Sequence, residues 1–208
     1  VQGENKLALD HYYQSLNHYA TAGDKDGIAA TLQSVGNANF RLQNYRLAFE
    51  AFQNARYLLT ESGKMDEAHE VLLALGLVHF AQKSYPFAME AYQKALQHFE
   101  SINNKNLLAL AFYRIGLVKY AEDNFAEALS FADRAAVLAA QAENSDTLWR
   151  AQFESGRAQL RLTQPEKAKQ AWLQSVATIE KMRANLRGND TDSAVERTAP
   201  FIGLVELL

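Results

Sequence analysis

A chain of 208 residues, 48% hydrophobic and 22% charged, has the composition of a globular domain with enough apolar material for a continuous core. Its formal net charge of −3 sets up no global field toward nucleic acid or an anionic membrane, no run of apolar residues is long enough to span a bilayer, and no basic segment followed by an apolar stretch reads as a signal peptide. Cysteine is absent, which excludes disulfides and thiol catalysis, and three prolines and ten glycines suit long uninterrupted helices.

Along the chain one pattern recurs. Gly36, Gly76, Gly116 and Gly156 stand 40 residues apart. Nine residues after each come Tyr45, Tyr85, Phe125 and Pro165; twelve after, Ala48, Ala88, Ala128 and Ala168. Sixteen after come Phe52, Tyr92, Ala132 and Trp172, and nineteen after, Ala55, Ala95, Ala135 and Ser175. Extrapolated back one period, Ala8, Tyr12 and Ser15 place the second half of an earlier repeat at the start of the chain. The first predicted helix therefore covers 5–20.

Each following period holds two helices, A and B. The predicted pairs are 26–42 with 45–61, 66–82 with 85–101, 106–121 with 125–141, and 146–162 with 165–186. Asp26, Asp66, Asn106 and Asp146 share one phase and are expected to cap the A helices; Asn44, Ser84 and Asn124 are expected to cap B helices. Pro86 and Pro165 fall in the first turn of a B helix. Gly23, Gly63 and Asn103 suit the left-handed turn that ends a helix. The small residues have a packing reason: glycine on helix A and alanine on helix B let the two backbones approach, and the aromatics fill the wedge between them. No pair buries its apolar face alone, so the stack is the folding unit.

These residues resemble the tetratricopeptide (TPR) family, whose signature of a glycine in helix A and then alanine, an aromatic and alanine in helix B runs across 5–182. The resemblance implies an all-α fold, a right-handed superhelical solenoid of antiparallel helix pairs covering 1–187. The period of 40 exceeds the family's 34, so the helices are longer, together by about one and a half turns. The proline that often closes a repeat is missing.

After Arg187 the pattern breaks. Gly188–Asp192 is polar and turn-rich, so 188–208 reads as a linker and the start of a further repeat or a capping helix, with Phe201, Ile202, Leu204, Val205, Leu207 and Leu208 on it. Neither end carries a polar cap, so the chain is expected to be a piece of a longer protein, with self-association through exposed terminal helices. The stretch from Ala177 to Arg187, followed by a polar gap and an apolar helix, is similar to the junction where long bacterial TPR arrays approach a caspase-like domain of the CHAT type. That resemblance implies a catalytic domain past residue 208.

In the TPR architecture helix A lines the concave face. The expected groove residues are Gln33, Asn37, Phe40 and Arg41; Leu73, Leu77, Phe80 and Ala81; Tyr113, Leu117, Tyr120 and Ala121; and Phe153, Arg157, Leu160 and Arg161. The candidate partner-binding set drawn from them is Gln33, Asn37, Arg41, Leu73, Leu77, Tyr113, Leu117, Phe153, Arg157 and Arg161. It reads polar, then apolar and aromatic, then basic, which suits a peptide or protein with an apolar anchor and an acidic flank. The apolar centre is either such a hot spot or, in Leu77, Phe80 and Tyr120, packing of helix A on helix B. Asn37 holds the position of the asparagine in carboxylate-clamp repeats. The rest of that clamp is missing, so recognition of a chaperone C-terminus is not expected. Residues 145–187 carry eight Lys/Arg against four acids, either a site for an acidic partner or RNA, or a solvated surface of i,i+4 pairs.

Other patterns carry no chemistry. Asp66-Glu67-Ala68-His69 spells a helicase motif without its strand or its phosphate loop. His11, His18, His69, His79 and His98 lack metal-ligand spacing, so no metal and no cofactor is expected. The expected function is a non-enzymatic, cytoplasmic protein-interaction scaffold of bacterial type. The alternatives are the sensor arm of a multidomain enzyme such as a CHAT-type protease, and an RNA-binding helical solenoid.

Overall fold

The computed structural model describes residues 2–185 and residue 200. Among the described residues there are nine α-helices and no strand: α1 (Gln2–Ala22), α2 (Lys25–Arg41), α3 (Tyr45–Glu61), α4 (Met65–Ala81), α5 (Tyr85–Ser101), α6 (Lys105–Ala121), α7 (Phe125–Gln141), α8 (Ser145–Arg161) and α9 (Pro165–Asn185). The expected spans agree to within one residue at most ends. None of these helices is long and apolar enough to cross a membrane. The segment 186–208, which holds the expected linker, the terminal apolar helix and the end of the CHAT-type junction, lies outside the described residues apart from Pro200.

The chain forms two compact units, Val1–His98 and Phe99–Leu208. In the first, α1 packs on α2, α2 on α3 and α3 on α4. Its core joins Ala29 of α2, Ala48, Phe52, Ala55 and Leu59 of α3, and Ala68, Val71, Leu75 and Val78 of α4. In the second, α6 packs on α7, α7 on α8, α8 on α9, and α6 also meets α8. Its buried residues include Phe112, Ile115 and Val118 of α6, four alanines of α7 at 128, 132, 135 and 139, Trp149 of α8 and Trp172 of α9.

The recurrent glycines work through the aromatic sixteen residues on. A Cβ at Gly36 would lie 2.5 Å from the Phe52 ring, at Gly76 2.4 Å from Tyr92, and at Gly156 2.3 Å from Trp172. The ring of helix B lies against the bare backbone of helix A. The contact expected from the sequence, with the alanine twelve on, forms where the aromatic is missing. At Gly116, paired with Ala132, the nearest atom is the Ala128 carbonyl oxygen at 3.4 Å.

The A-helix caps lie two residues before the expected ones. Asp24, Asn104 and Asn144 are the N-caps, accepting hydrogen bonds from the backbone N–H of Gly27 (2.9 Å), Leu107 (3.1 Å) and Thr147 (3.0 Å). Lys64 holds the cap position of α4 without a side-chain bond. Asp26, Asp66, Asn106 and Asp146 instead sit in the first turn, where a carboxylate complements the helix dipole, and the first three bridge elements. Lys64 Nζ reaches Asp26 at 2.6 Å, His98 Nε2 lies 2.6 Å from Asp66, and Asn144 Nδ2 donates to Asn106 Oδ1. Asn44 and Asn124 occupy the expected B-helix caps but make no side-chain capping bond.

Every described turn holds one left-handed residue. Gly23, Gly63 and Asn103 do so as expected, at φ 69°, 73° and 50°, and Glu143 joins them at 55°. Between A and B helices the position is filled by Gln43, Lys83, Asp123 and Thr163, none of them glycine.

Candidate interaction surface

In the first unit, Asn37 and Arg41 are exposed, Gln33 and Leu77 are half-buried, and Leu73 is 5% exposed. Leu73 is thus packed inside rather than presented. The Phe40 and Phe80 rings lie 5.6 and 5.7 Å from Tyr45 and Tyr85, so this aromatic layer packs each A helix on the first turn of its B helix.

In the second unit Tyr113 is 8% exposed. Burial pushes its phenol pKa above the ordinary value, against the opposing charge of Arg114. Like Leu73, it belongs to the interior and offers a partner little surface. Leu117 and Phe153 are half-buried, Arg157 keeps 37% of its side chain exposed and Arg161 51%; Leu160 is 39% exposed. Arg157 of α8 meets Tyr120 of α6 directly, and Leu117, Phe153, Leu160 and Arg161 stand three or four residues from one or the other, on the same faces of α6 and α8. The Phe153 ring also lies 6.2 Å from that of Trp172 on α9.

The two arginines lie over rings. The Arg157 guanidinium is 4.1 Å from the Tyr120 ring centroid, and the Arg161 guanidinium 4.2 Å from that of Phe125. Tyr120 and Phe125 are themselves edge to face at 5.3 Å. A guanidinium on an aromatic face keeps its in-plane N–H fork free for an anion and loses less freedom on binding one.

Their charges are not equally available. Arg157 Nη1 donates to both carboxylate oxygens of Glu154, at 3.0 and 2.9 Å. Glu154 is 9% exposed. Burial raises its carboxyl pKa, with Arg157 pulling the other way. Burial would lower the Arg157 pKa, but Glu154 and Tyr120 together oppose it and the net shift is upward. Arg161 approaches Asp123 at 3.6 Å, and Asp123 is 77% exposed. An exposed pair of this geometry contributes little, so an incoming carboxylate can replace Asp123. Glu154, absent from the expected groove set, therefore neutralises one of the two cations assigned to the basic end. Its spacing of three from Arg157 is the signal that marks the pair.

Two other arginines of this unit are paired along their own helices, Arg150 with Asp146 at 3.1 Å and Arg183 with Glu180 at 2.9 Å. Among the described residues no group of His, Cys, Asp or Glu could hold a metal ion.

The comparisons with known proteins agree with this repeat geometry. Residues 67–135 match the tetratricopeptide repeat family. No curated protein matches the chain in sequence. Among solved structures it is similar to BtubC (BKLC) from P. vanneervenii, with TM-score 0.71 and 16% identity, over 91% of this chain and 77% of that one. It is similar to the apo form of RapI with TM-score 0.75 and 14% identity, over 98% and 78%. It is also similar to a Rap protein complexed with competence and sporulation factor, with TM-score 0.70 and 17% identity, over 87% of this chain and about half (52%) of that one. Residues 67–135 are thus a tetratricopeptide repeat segment, and the fold of the described chain is of the tetratricopeptide type.

Proposed function

We propose that this chain is a protein-interaction module that acts by holding a partner segment on the face of α6 and α8, rather than by catalysis. The observation that carries the reading is the pair of ring-stacked arginines beside half-exposed Leu117, Phe153 and Leu160. Arg161 offers a preorganised cation whose contact with Asp123 is weak. The apolar side chains beside it supply an anchor. A segment with an acidic residue next to a leucine or aromatic fits both. The Rap protein structure that contains a bound factor supports the reading by fold alone. In the first unit Gln33, Asn37, Arg41 and Leu77 are the corresponding accessible set and make a second, more polar surface. Leu73 and Tyr113 support these faces from beneath.

The test is selection from a phage-displayed random dodecapeptide library on the whole chain, followed by affinity measurements. Selected peptides should be enriched in Asp or Glu near Leu, Phe or Trp. Arg161→Glu should weaken them by about tenfold or more, as expected for loss of a charge-assisted contact and gain of a repulsive one. Absence of that enrichment, or equal affinity for Arg161→Glu, would overturn the reading.

A further inference from the structure

The other side of α8 departs from its repeat. On α2, α4 and α6 the residues four and one before the repeat glycine are apolar: Leu32 and Val35, Leu72 and Leu75, Phe112 and Ile115. All six are buried or packed against the core. On α8 the same two positions are Gln152 and Ser155. Three residues after the glycine stand Asn39, His79, Lys119 and Gln159. The first three have partners: Asn39 donates to the Val35 carbonyl oxygen, His79 lies between Phe49 and Phe87, and Lys119 binds Glu127 at 2.8 Å. Gln159 Oε1 is buried with no hydrogen-bond partner.

These polar residues floor a cleft of about 470 Å³ between α7 and α9. The α7 wall is low because Ala136 and Ala140 stand there; one and two periods earlier the same positions hold Leu96 and Glu100, and Arg56 and Thr60. From Leu148 to Gln159 the floor runs for about 16 Å at the rise of a helix, the length of about five extended residues.

Its chemistry is that of amides. Ser155 Oγ donates to Asp133 Oδ1 at 2.8 Å, and Gln152 Oε1 accepts from Thr178 at 2.9 Å, which leaves the Gln152 Nε2 protons for a ligand. Gln170 and Gln174 line the α9 wall, and the charges of Lys167 and Asp133 in the lining offset each other. Polar groups at positions that the fold otherwise fills with Leu, Phe and Ile cost stability unless something satisfies them. The unpaired Gln159 oxygen marks where this cost is unmet, and the last torsion of a glutamine turns at little expense.

We propose that this cleft is a further binding site, distinct from the face of α6 and α8 and from the polar surface of the first unit, which takes a short extended peptide segment of a partner through its main chain. Glutamine Nε2 donates to peptide carbonyls, while Gln159 Oε1 and Asp133 accept from peptide N–H groups. Val137, 58% exposed on the α7 wall, supplies an apolar rim. The cleft reads an uncharged backbone, so its ligand needs no acidic flank.

The same phage-displayed dodecapeptide library provides the probe, panned on the whole chain carrying Arg161→Glu so that the first site is disabled. Selected peptides are then measured on two cleft variants. Gln152→Leu with Ser155→Ile restores residue types that stand at these positions in other repeats, and is expected to melt at or above the parent. Ala140→Leu fills the cleft from a surface position. Each should weaken the selected peptides about tenfold or more, as expected for buried hydrogen bonds lost together. Peptides that bind a folded Ala140→Leu variant as tightly as the parent, or a library that yields no binder on the Arg161→Glu chain, would overturn the proposal. Both results leave the reading of the α6 and α8 face to its own test.

Discussion

The Tyr92 ring occupies the space a side chain on Gly76 would need, its Cε1 only 2.4 Å from where a Cβ would stand. The neighbouring repeat poses the same question with a different answer, since a Cβ on Gly116 would meet nothing closer than 3.4 Å. Gly76→Ala is therefore expected to destabilise the chain by about 1–3 kcal/mol, because Tyr92 is fully buried and cannot move aside. Gly116→Ala should be neutral or stabilising by up to about 1 kcal/mol through helix propensity. Urea denaturation of the two variants checks this. Equal losses would show that close backbone approach, rather than the ring, sets the need for glycine.

How much of this is legible in the sequence depends on the kind of signal. The helices are legible because a 40-residue period repeats every boundary four times. The expected caps fall two residues late for an identifiable reason. Asp24 and Asp26, Asn104 and Asn106, and Asn144 and Asp146 are all capping residues, and only the second repeat separates the phases. There Lys64 holds the cap and Asp66 the first turn. The left-handed Gln43, Lys83, Asp123 and Thr163 carry no sequence mark, because the turn forces the conformation on whatever residue stands there. The arginines of the α6 and α8 face are legible as charge. The burial of Leu73 and Tyr113 is not, since α4 and α6 are apolar at nearly every phase and periodicity cannot then choose a face. Nor does the sequence show that Glu154 is buried against Arg157.

Glu154 makes a prediction about pH. Burial raises its folded-state pKa above the ordinary value, so the folded chain holds that proton more tightly than the unfolded chain does. Stability from this group is then lost as pH rises through the window from the ordinary carboxyl value up to the raised one. Glu154→Gln removes the titration. Its melting temperature should improve relative to the parent as pH rises from about 4 to about 7, a window that starts at the ordinary glutamate value. A parent that instead gains on the variant over that range would mean that attraction to Arg157 outweighs burial.

His79 should act in the opposite sense. Burial between Phe49 and Phe87 lowers its pKa, with Glu90 the facing charge that opposes the shift. The unfolded chain then binds the proton more readily, and stability is lost as pH falls below about 6.5. His79→Gln should flatten that part of the curve. Melting temperatures of the two proteins that fall in parallel from about pH 7.5 to about pH 5.5, a span that brackets the ordinary histidine value, would assign the acid sensitivity to other groups.

Thr163 carries backbone strain that a single substitution can release. It is β-branched and sits at φ 59°, a conformation that costs an L-residue about 1–2 kcal/mol. Its counterparts Gln43, Lys83 and Asp123 share the conformation without branching at Cβ. The side-chain compensation is the bond from Thr163 Oγ1 to the Leu162 carbonyl oxygen at 2.7 Å. Glycine removes the strain but widens the unfolded ensemble, so Thr163→Gly should gain roughly 0.5–1 kcal/mol net. Asparagine tolerates the left-handed region and should gain a similar amount. Gly63 provides the mirror experiment. At φ 73°, with no atom within 4 Å of where a Cβ would stand, Gly63→Ala meets no steric neighbour. Any loss there is backbone strain alone, expected at about 1 kcal/mol. In a chain of this length such changes move the melting temperature by about 2–4 °C, upward for Thr163→Gly and downward for Gly63→Ala. If Thr163→Gly melts at or below the parent, the hydroxyl bond to Leu162 outweighs the strain, and Thr163→Val, which keeps the branching and removes the hydroxyl, should then be the most destabilised of the set.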